Sequence, residues 1–288
     1  MQCVFRLVIL CVLLCGLSSC RRHRVPKNIS FVSSKPSLQR NEKASVSHER
    51  KRNSQVATLS LVNIVTGAPT EDLKLQHTGF VVSYNPSKCT PSWVAWELTS
   101  EETTGPISRK DYDFAPDPQL DTRYQVEKQE YATCGYDRGH MCPAGDMEWS
   151  SSAMNDCHYM TNICPQAPKL NQVYWERLES ACRRWACLYG SIYIICGPVY
   201  KSGKYTTFGT NHTIAIPDGY FKVVITLEEG EERGIGFYYR NDDVRQTMEC
   251  AAMPIDKVEE MIGYDFFAEL PDEVERRVES QNKLSSWR

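Results

Sequence analysis

The sequence predicts an α+β fold in which helices pack on a largely antiparallel β-sheet. The chain has 288 residues, of which 41% are hydrophobic and 24% are charged, an ordinary composition for a globular protein. Seven segments rich in β-branched and aromatic residues are separated mostly by turn residues, and several follow one another without a helix between them. One long segment and two shorter ones have helical character. We expect a single large domain over residues 58–288.

The elements can be placed along the chain in order. Strands are predicted at residues 59–65, 79–84, 93–98, 159–163, 191–195, 220–227 and 234–239. The clearest helix is predicted at residues 171–188, where Leu178, Cys182 and Trp185 recur at helical spacing and neither proline nor glycine interrupts. Weaker helices are expected at residues 255–262 and 272–280. Trp175 and Trp185 are expected to be core residues.

The first nineteen residues predict a signal peptide. They contain one charged residue, Arg6, and an apolar run over residues 7–17 that is too short to span a bilayer. The run ends at Leu17-Ser18-Ser19-Cys20, which resembles the lipobox of a bacterial lipoprotein. We therefore expect a lipidated Cys20 that anchors an exported protein to a membrane, facing the periplasm or the cell surface. The alternative is an ordinary secretory signal cleaved after Ser18, which would give a soluble secreted protein.

Charge divides the remaining chain into two parts. Residues 21–57 contain ten Lys and Arg against Glu42 and Glu49, a net charge of +8, with few apolar residues. We expect residues 20–57 to be a flexible basic tether. From residue 53 onward there are 22 Lys and Arg against 34 Asp and Glu, a net charge of −12, so this part is not a general polyanion binder. Positive charge for a nucleic acid must be concentrated at one site, and the arginines proposed for it are Arg109, Arg138, Arg183 and Arg184.

Thirteen cysteines are many for this length. Loss of the signal peptide and lipidation of Cys20 would leave nine: Cys89, Cys134, Cys142, Cys157, Cys164, Cys182, Cys187, Cys196 and Cys250. Export favours disulfides, but an odd number leaves at least one thiol free and the pairing cannot be deduced from sequence. A zinc site around Cys157-His158 is disfavoured because the sequence contains no Cys-x-x-Cys spacing.

The motif Tyr136-Asp137-Arg138-Gly139-His140-Met141 predicts a metal-assisted phosphodiesterase site. A histidine has its unperturbed pKa near neutrality, so His140 is the candidate general base on water. The amide oxygen of Asn171 is a suitable ligand for a hard divalent cation, and Arg138 can bind phosphate oxygens.

The predicted helix gives these groups a geometry. Asn171 lies at its start and Glu179 follows two turns later, about 80° around the axis, so the two can flank one ion. Arg183, four residues beyond Glu179, can pair with it or reach a phosphate.

These motifs together resemble the DNA/RNA non-specific endonucleases, the ββα-metal or His-Me finger nucleases that include endonuclease G and bacterial sugar-nonspecific nucleases. The similar segments cover about residues 58–280: 93–99, Arg109, Asp117-Pro118, 137–140, 161–166, 170–172 with Trp175 and Glu179, Gly197-Pro198, and 255–271.

The resemblance implies a ββα-metal finger at the active site and cleavage of both DNA and RNA, leaving 5′-phosphate ends. It implies Mg²⁺, with Mn²⁺ as a possible substitute, bound directly by Asn171 and through water by Glu179. It also implies that Arg109, Arg138 and Arg183 bind substrate phosphate. The alternative function is a nucleic-acid-binding or adhesion lipoprotein whose nuclease site is vestigial.

For the other polar residues, the sequence predicts roles less specifically. Asp137 is expected to orient the local backbone rather than to bind metal. Asn162 and Gln166 are expected either to support the site by hydrogen bonds or to be purely structural. No motif or spacing in the sequence links His77, His158 or His212 to a partner residue. No functional role is therefore predicted for these three histidines.

Overall fold

A seven-stranded antiparallel sheet forms the centre of the fold. The computed structural model describes residues 59–201 and 203–287, so the predicted signal peptide, the lipidated Cys20 and the basic tether lie outside it. The strands are β1 (Val65–Thr66), β2 (Leu73–His77), β3 (Phe80–Asn85), β4 (Thr90–Thr99), β5 (Asp137–His140), β6 (Ile163–Gln166), β7 (Ser191–Val199), β8 (Thr207–Phe208), β9 (Ile214–Ala215), β10 (Gly219–Thr226), β11 (Arg233–Arg240), β12 (Ala252–Met253) and β13 (Asp265–Phe266).

Helices surround this sheet. The α-helices are α1 (Ser151–Cys157), α2 (Glu176–Tyr189), α3 (Met248–Ala251), α4 (Ile255–Ile262) and α5 (Asp272–Glu279). A π-helix, Leu170–Trp175, leads directly into α2. Short 3₁₀ turns lie at Glu101–Thr103, Arg109–Asp111, Thr122–Tyr124, Lys128–Tyr131, Ala144–Asp146, Met160–Asn162 and Leu284–Trp287. Among the described residues, no helix combines the length and apolarity needed to cross a bilayer.

Both faces of the large sheet are buried. Its strand order is β12-β11-β10-β7-β4-β3-β2. Because successive side chains of a strand point to opposite faces, Trp96 of β4 joins the core under α2, whereas Trp93 joins the core under α4 and α5. Burial on both faces explains why every residue of β3 and β10 is buried and why their apolar residues do not alternate strictly with polar ones. Burying one large apolar side chain contributes roughly 1.5–3 kcal/mol, so these two layers dominate the stability of the fold.

The predicted α+β class with a largely antiparallel sheet is confirmed. The strands predicted at residues 79–84, 93–98, 191–195, 220–227 and 234–239 correspond to β3, β4, β7, β10 and β11. The two weaker helices correspond to α4 and α5. Trp175 and Trp185 are buried in the core as expected.

Two strand predictions are wrong. Residues 59–64 form turns whose Leu59 and Ile64 pack into the second core, and only Val65 and Thr66 pair with a strand, β13. Residues 160–162 form a 3₁₀ turn, and the strand begins at Ile163. In both places the apolar residues belong to a buried turn. A short run of apolar residues does not distinguish a buried turn from a strand.

Candidate active site

A two-stranded hairpin carries His140. Strands β5 and β6 pair antiparallel, with His140 opposite Ile163 and Gly139 opposite Cys164. A Cβ atom at Gly139 would overlap the side-chain amide of Gln166, which is fully buried. The glycine of the motif is therefore required by close packing within the hairpin. The hairpin followed by the helix that begins at Leu170 gives the predicted ββα arrangement.

Asn162 fixes the segment that follows His140. Its Nδ2 donates to the carbonyl oxygens of Cys142 and Cys157, at 2.8 Å each, and its Oδ1 accepts the N–H of Cys142 at 2.9 Å. The amide is fully buried, and its two bonds to Cys142 join backbone segments that are 20 residues apart in sequence. These contacts are structural, one of the two roles expected for Asn162.

The π-helix positions Asn171. The predicted regular α-helix over residues 171–188 is interrupted at its start, because Leu170–Trp175 is wound as a π-helix before α2 begins. Asn171 and Glu179 are therefore not separated by the 80° expected from regular α-helical geometry. Asp137 receives hydrogen bonds on Oδ2 from Asn171 Nδ2 at 2.9 Å and from Gln172 Nε2 at 2.7 Å. Since Asp137 holds the amide nitrogen of Asn171, the amide oxygen Oδ1 is directed away from that carboxylate.

One cleft brings the predicted site residues together. Its volume is about 330 Å³, and its lining includes all six of them: Arg109, Arg138, His140, Asn171, Glu179 and Arg183. These side chains come from the 3₁₀ turn at Arg109, the hairpin and the helix that follows it. Residues more than seventy positions apart in sequence thus converge on a single polar surface.

His140 is a buried histidine. The residue is 9% exposed, and its Nε2 is buried without a hydrogen-bond partner among the described residues. Burial, the adjacent His158 and the positive charge of Arg109 hold the pKa of His140 well below its usual range. The ring of His158 lies edge-on to that of His140, with centroids 5.1 Å apart. His140 is therefore neutral at pH 7 and can accept a proton.

The arginines differ in how they are held. Arg109 is exposed at the mouth of the cleft. The guanidinium of Arg138 lies 5.1 Å from the centroid of the Phe114 ring. Arg183 donates to Asp146 at 2.9 Å, so the structure pairs it with that carboxylate and not with Glu179. Arg184 does not belong to the cleft; it lines a separate groove with Trp185 and Trp287, contrary to the expectation that it adds charge at the site.

Comparison with known proteins identifies the family. The profile of the DNA/RNA non-specific endonuclease family matches residues 48–273. The chain belongs to this family. It is 30% identical over 210 residues to the mitochondrial nuclease EXOG of Xenopus laevis, a match that covers 68% of this chain and 58% of that protein. The chain thus spans less than two thirds of that relative's length.

Other relatives and a solved structure agree with this membership. Human mitochondrial endonuclease G is 31% identical over 199 residues, covering 65% of this chain and 67% of that protein. A nuclease of Nostoc sp. is 30% identical over 213 residues, covering 70% and 76% of the two chains. A chain in the crystal structure of the EndoG/EndoGI complex superposes with a TM-score of 0.68 at 24% identity, covering 78% of this chain and 99% of that one, which supports the fold. The predicted class of protein, a family of nucleases, is confirmed.

Two charged residues near Glu179 were not predicted from the sequence. Asp146 is fully buried and accepts from Trp96 Nε1 at 3.1 Å as well as from Arg183. Lys222 is also fully buried, with its Nζ 4.5 Å from the centroid of the Trp175 ring. Burial raises the pKa of Glu179 to about 7, an effect that Lys222 opposes and Asp146 increases. Lys222 is the only charged residue of strand β10. Its presence in that strand is the one feature of the sequence that indicated a buried charge near Glu179.

The donors in the cleft fit a hard divalent cation. The oriented amide oxygen of Asn171 and the carboxylate of Glu179 are oxygen ligands on one continuous helical segment, and both line the cleft. Oxygen ligands and a polar, water-accessible cleft suit Mg²⁺, which retains much of its hydration shell.

The thiols near the cleft are not reactive cysteines. All nine cysteines of the described part are unpaired, so disulfide formation stays a prediction. Cys157, His158 and His140 each place one possible ligand atom within 4.8 Å of the other two. Burial raises the pKa of the Cys157 thiol well above its usual range, so the thiol is protonated at neutral pH. The His158 Nδ1 lies 2.7 Å from the carbonyl oxygen of Met154.

Proposed function

We propose that this protein is a Mg²⁺-dependent endonuclease that hydrolyses phosphodiester bonds in DNA and RNA without strong sequence specificity. The observation that carries the proposal is that His140 and Asn171 line one cleft together with three arginines and Glu179. The orientation of Asn171 by Asp137 supports it, because an amide whose nitrogen is held by a carboxylate presents its oxygen to a cation.

Each side chain has a specific role in the proposed reaction. His140 takes the proton of the attacking water, and Nδ1 is the nitrogen assigned to this step because Nε2 is buried. Arg109 and Arg138 bind the non-bridging phosphate oxygens, and Arg183 assists while paired with Asp146. Asn171 would hold Mg²⁺ directly and Glu179 would hold it through water. The ion supplies positive charge that stabilises the transition state and the departing 3′ oxygen.

The products and substrates follow from these roles. Departure of the 3′ oxygen leaves the phosphate on the 5′ end. None of the assigned groups requires a ribose 2′-hydroxyl, so both DNA and RNA are expected substrates.

A plasmid-nicking assay tests the proposal. The protein should nick supercoiled DNA with Mg²⁺ or Mn²⁺ and not after chelation, and it should also degrade single-stranded RNA. Nicks that a DNA ligase reseals without prior phosphorylation would establish 5′-phosphate and 3′-hydroxyl ends. DNA binding without cleavage under all these conditions would favour the vestigial-site alternative instead.

We also propose that the protein is exported and anchored to a membrane by a lipidated Cys20. The sequence Leu17-Ser18-Ser19-Cys20 after an apolar run supports this proposal. Wild-type protein should sediment with membranes and dissolve in detergent, whereas Cys20→Ser should appear in the soluble fraction, because the lipid supplies most of the membrane affinity. A wild-type protein that is already soluble would leave the secreted form as the correct alternative.

A further inference from the structure

A second group of acidic side chains lies on the opposite face of the large sheet from the nuclease cleft. Asp256 and Glu259 are three residues apart on α4, and Glu279 ends α5. Each contributes one carboxylate oxygen to a cluster in which these atoms lie within 4.8 Å of one another. Helices α4 and α5 pack against the core that contains Trp93, whereas α2 and the cleft lie on the Trp96 side.

Glu279 distinguishes this group from an ordinary acidic surface. Its side chain is only 5% exposed, yet its Oε1 has no hydrogen-bond partner among the described residues. Burying a carboxylate without a partner is costly, and native proteins pair nearly all such groups. Glu279 also supplies one oxygen to the cluster with Asp256 and Glu259, so a cation bound there would lie within reach of this carboxylate.

Nearby basic side chains do not supply that partner. Within the described part of the chain, none of the three carboxylates forms an ion pair with Lys or Arg: Lys257 pairs with Glu260, and Arg277 pairs with Glu232 at 3.6 Å. No basic side chain of the described part therefore offsets the carboxylates of the cluster.

We propose that Asp256, Glu259 and Glu279 bind a calcium ion that links α4 to α5. All three donors are carboxylate oxygens. Such a set of ligands suits a hard ion and does not suit metal ions that favour nitrogen or sulfur ligands. Ca²⁺ accepts six to eight oxygens in irregular geometry, and the exposed Asp256 leaves room for water to complete the shell. Glu259 Oε1 accepts the N–H of Phe266 at 2.7 Å, so the other oxygen of Glu259 is the one available to the ion.

The bound ion would hold the C-terminal helix in place. Helix α5 packs on β11, where the backbone of Val278 lies so close to Gly234 that no side chain fits between them. An ion shared by α4 and α5 binds the folded state and not the unfolded state, so it stabilises the protein by mass action.

Calcium binding is measured on the full chain carrying Asn171→Ala, which removes the direct ligand at the nuclease site. After chelation, the protein is titrated with Ca²⁺ alone by calorimetry, and its thermal unfolding is followed in parallel. We expect one ion with a Kd of about 10⁻⁴–10⁻³ M. At about 100 times Kd, Tm should rise by about 5–10 °C.

Three further substitutions in this background locate the ion. Asp256→Asn, at an exposed position that should not disturb folding, should weaken Ca²⁺ binding at least tenfold. Glu279→Gln should abolish the Ca²⁺-dependent rise in Tm, because it removes the buried carboxylate oxygen that would bind the ion. Glu260→Gln, an exposed control on the same helix, should bind Ca²⁺ like its parent.

Two results would overturn the proposal. One is a parent protein whose Tm and calorimetric signal do not respond to Ca²⁺. The other is an equal response in the parent and in Asp256→Asn, which would place the ion elsewhere. Binding of Mg²⁺ as tight as that of Ca²⁺ would contradict the assignment of the ion.

Discussion

At His140, burial and nearby positive charge lower the pKa together. A histidine with a lowered pKa remains neutral through the whole neutral range, which a general base requires, although it is a weaker base than free imidazole. His158 contributes to this environment and touches His140 with its ring edge. The sequence indicated His140 through its motif, but nothing in the sequence placed His158 beside it, because that contact depends on how α1 folds onto the hairpin.

Replacing His140 by alanine should remove nearly all cleavage. Positioned base catalysis contributes roughly 10²–10⁴-fold, so the nicking rate should fall by that factor while circular dichroism and DNA binding stay unchanged. His212→Ala is the matched control, because His212 is also partly buried but bonds to Glu130 outside the cleft. A His140→Ala protein that keeps more than about a tenth of the wild-type rate would contradict the base assignment.

The lowered pKa of His140 also predicts a pH dependence of stability. Below the unfolded-state pKa of about 6.5, the unfolded chain binds a proton that the folded protein does not, so the free energy of unfolding falls as pH drops. This contribution is at most about 1.4 kcal/mol per pH unit, and it ends once pH falls below the folded pKa.

Urea unfolding in chelator at pH 7.5 and pH 5.0 measures this effect. His140→Gln should lose less stability between the two values than wild type does. An identical loss in both proteins would mean that His140 titrates normally in the folded state.

Asp137 should matter for metal rather than for folding. Asp137→Ala frees the amides of Asn171 and Gln172, and loss of an outer partner typically weakens metal affinity by about 10–100-fold. The Mg²⁺ concentration for half-maximal nicking should rise by that factor, and Asn171→Ala should raise it further. Asp121→Ala, an exposed aspartate outside the cleft, is the control. An unchanged Mg²⁺ requirement in Asp137→Ala would show that Asp137 does not orient the ligand.

At the scale of elements, the site depends on two irregularities. The first is the π-helix at Leu170–Trp175, which sets the angle between Asn171 and α2. Apolar spacing predicted the helix correctly because Leu178, Cys182 and Trp185 face the core, but π-winding leaves no such signal. The second is Gly139, whose missing side chain leaves room for Gln166.

Gly139→Ala should destabilise the hairpin and the site together. The added methyl group overlaps a buried side chain that has little room to move, and overpacking of this kind costs about 1–3 kcal/mol. Adding Gln166→Ala removes the overlapping atoms, so the double variant should recover much of the loss. Urea unfolding of the wild type, both single variants and the double variant measures the coupling energy. Additive effects of the two substitutions would show that Gln166 does not constrain position 139.

At the scale of the whole molecule, charge is distributed unevenly. The part from residue 53 onward carries a net charge of −12, from 22 basic and 34 acidic residues. The cleft, however, is lined by three arginines together with Glu179, whose raised pKa reduces its negative charge near neutral pH. The net negative charge of this part predicted that any positive charge for binding nucleic acid must be concentrated at one site. The fold shows that this site is the cleft lined by Arg109, Arg138 and Arg183. The pairing of Arg183 with Asp146 could not be predicted, because Asp146 reaches it only through the packing of α2 over Trp96.

This distribution predicts weak salt dependence of DNA binding. The slope of log binding constant against log salt is roughly −0.9 for each phosphate neutralised on duplex DNA. Within the described part of the chain, Arg109 and Arg138 form no ion pair with an acidic side chain, whereas Arg183 pairs with Asp146. Two or three phosphate contacts would therefore give a slope of about −2 to −3. The measurement uses His140→Ala protein, which leaves the DNA intact.

In that background, Arg109→Ala should reduce the magnitude of the slope by about 1, whereas Arg184→Ala, in the separate groove, should leave it unchanged. Deleting residues 21–52 should change it little if the basic segment is mainly a spacer. A steep slope that collapses on this deletion would mean that the basic segment, and not the cleft, provides most of the affinity for nucleic acid.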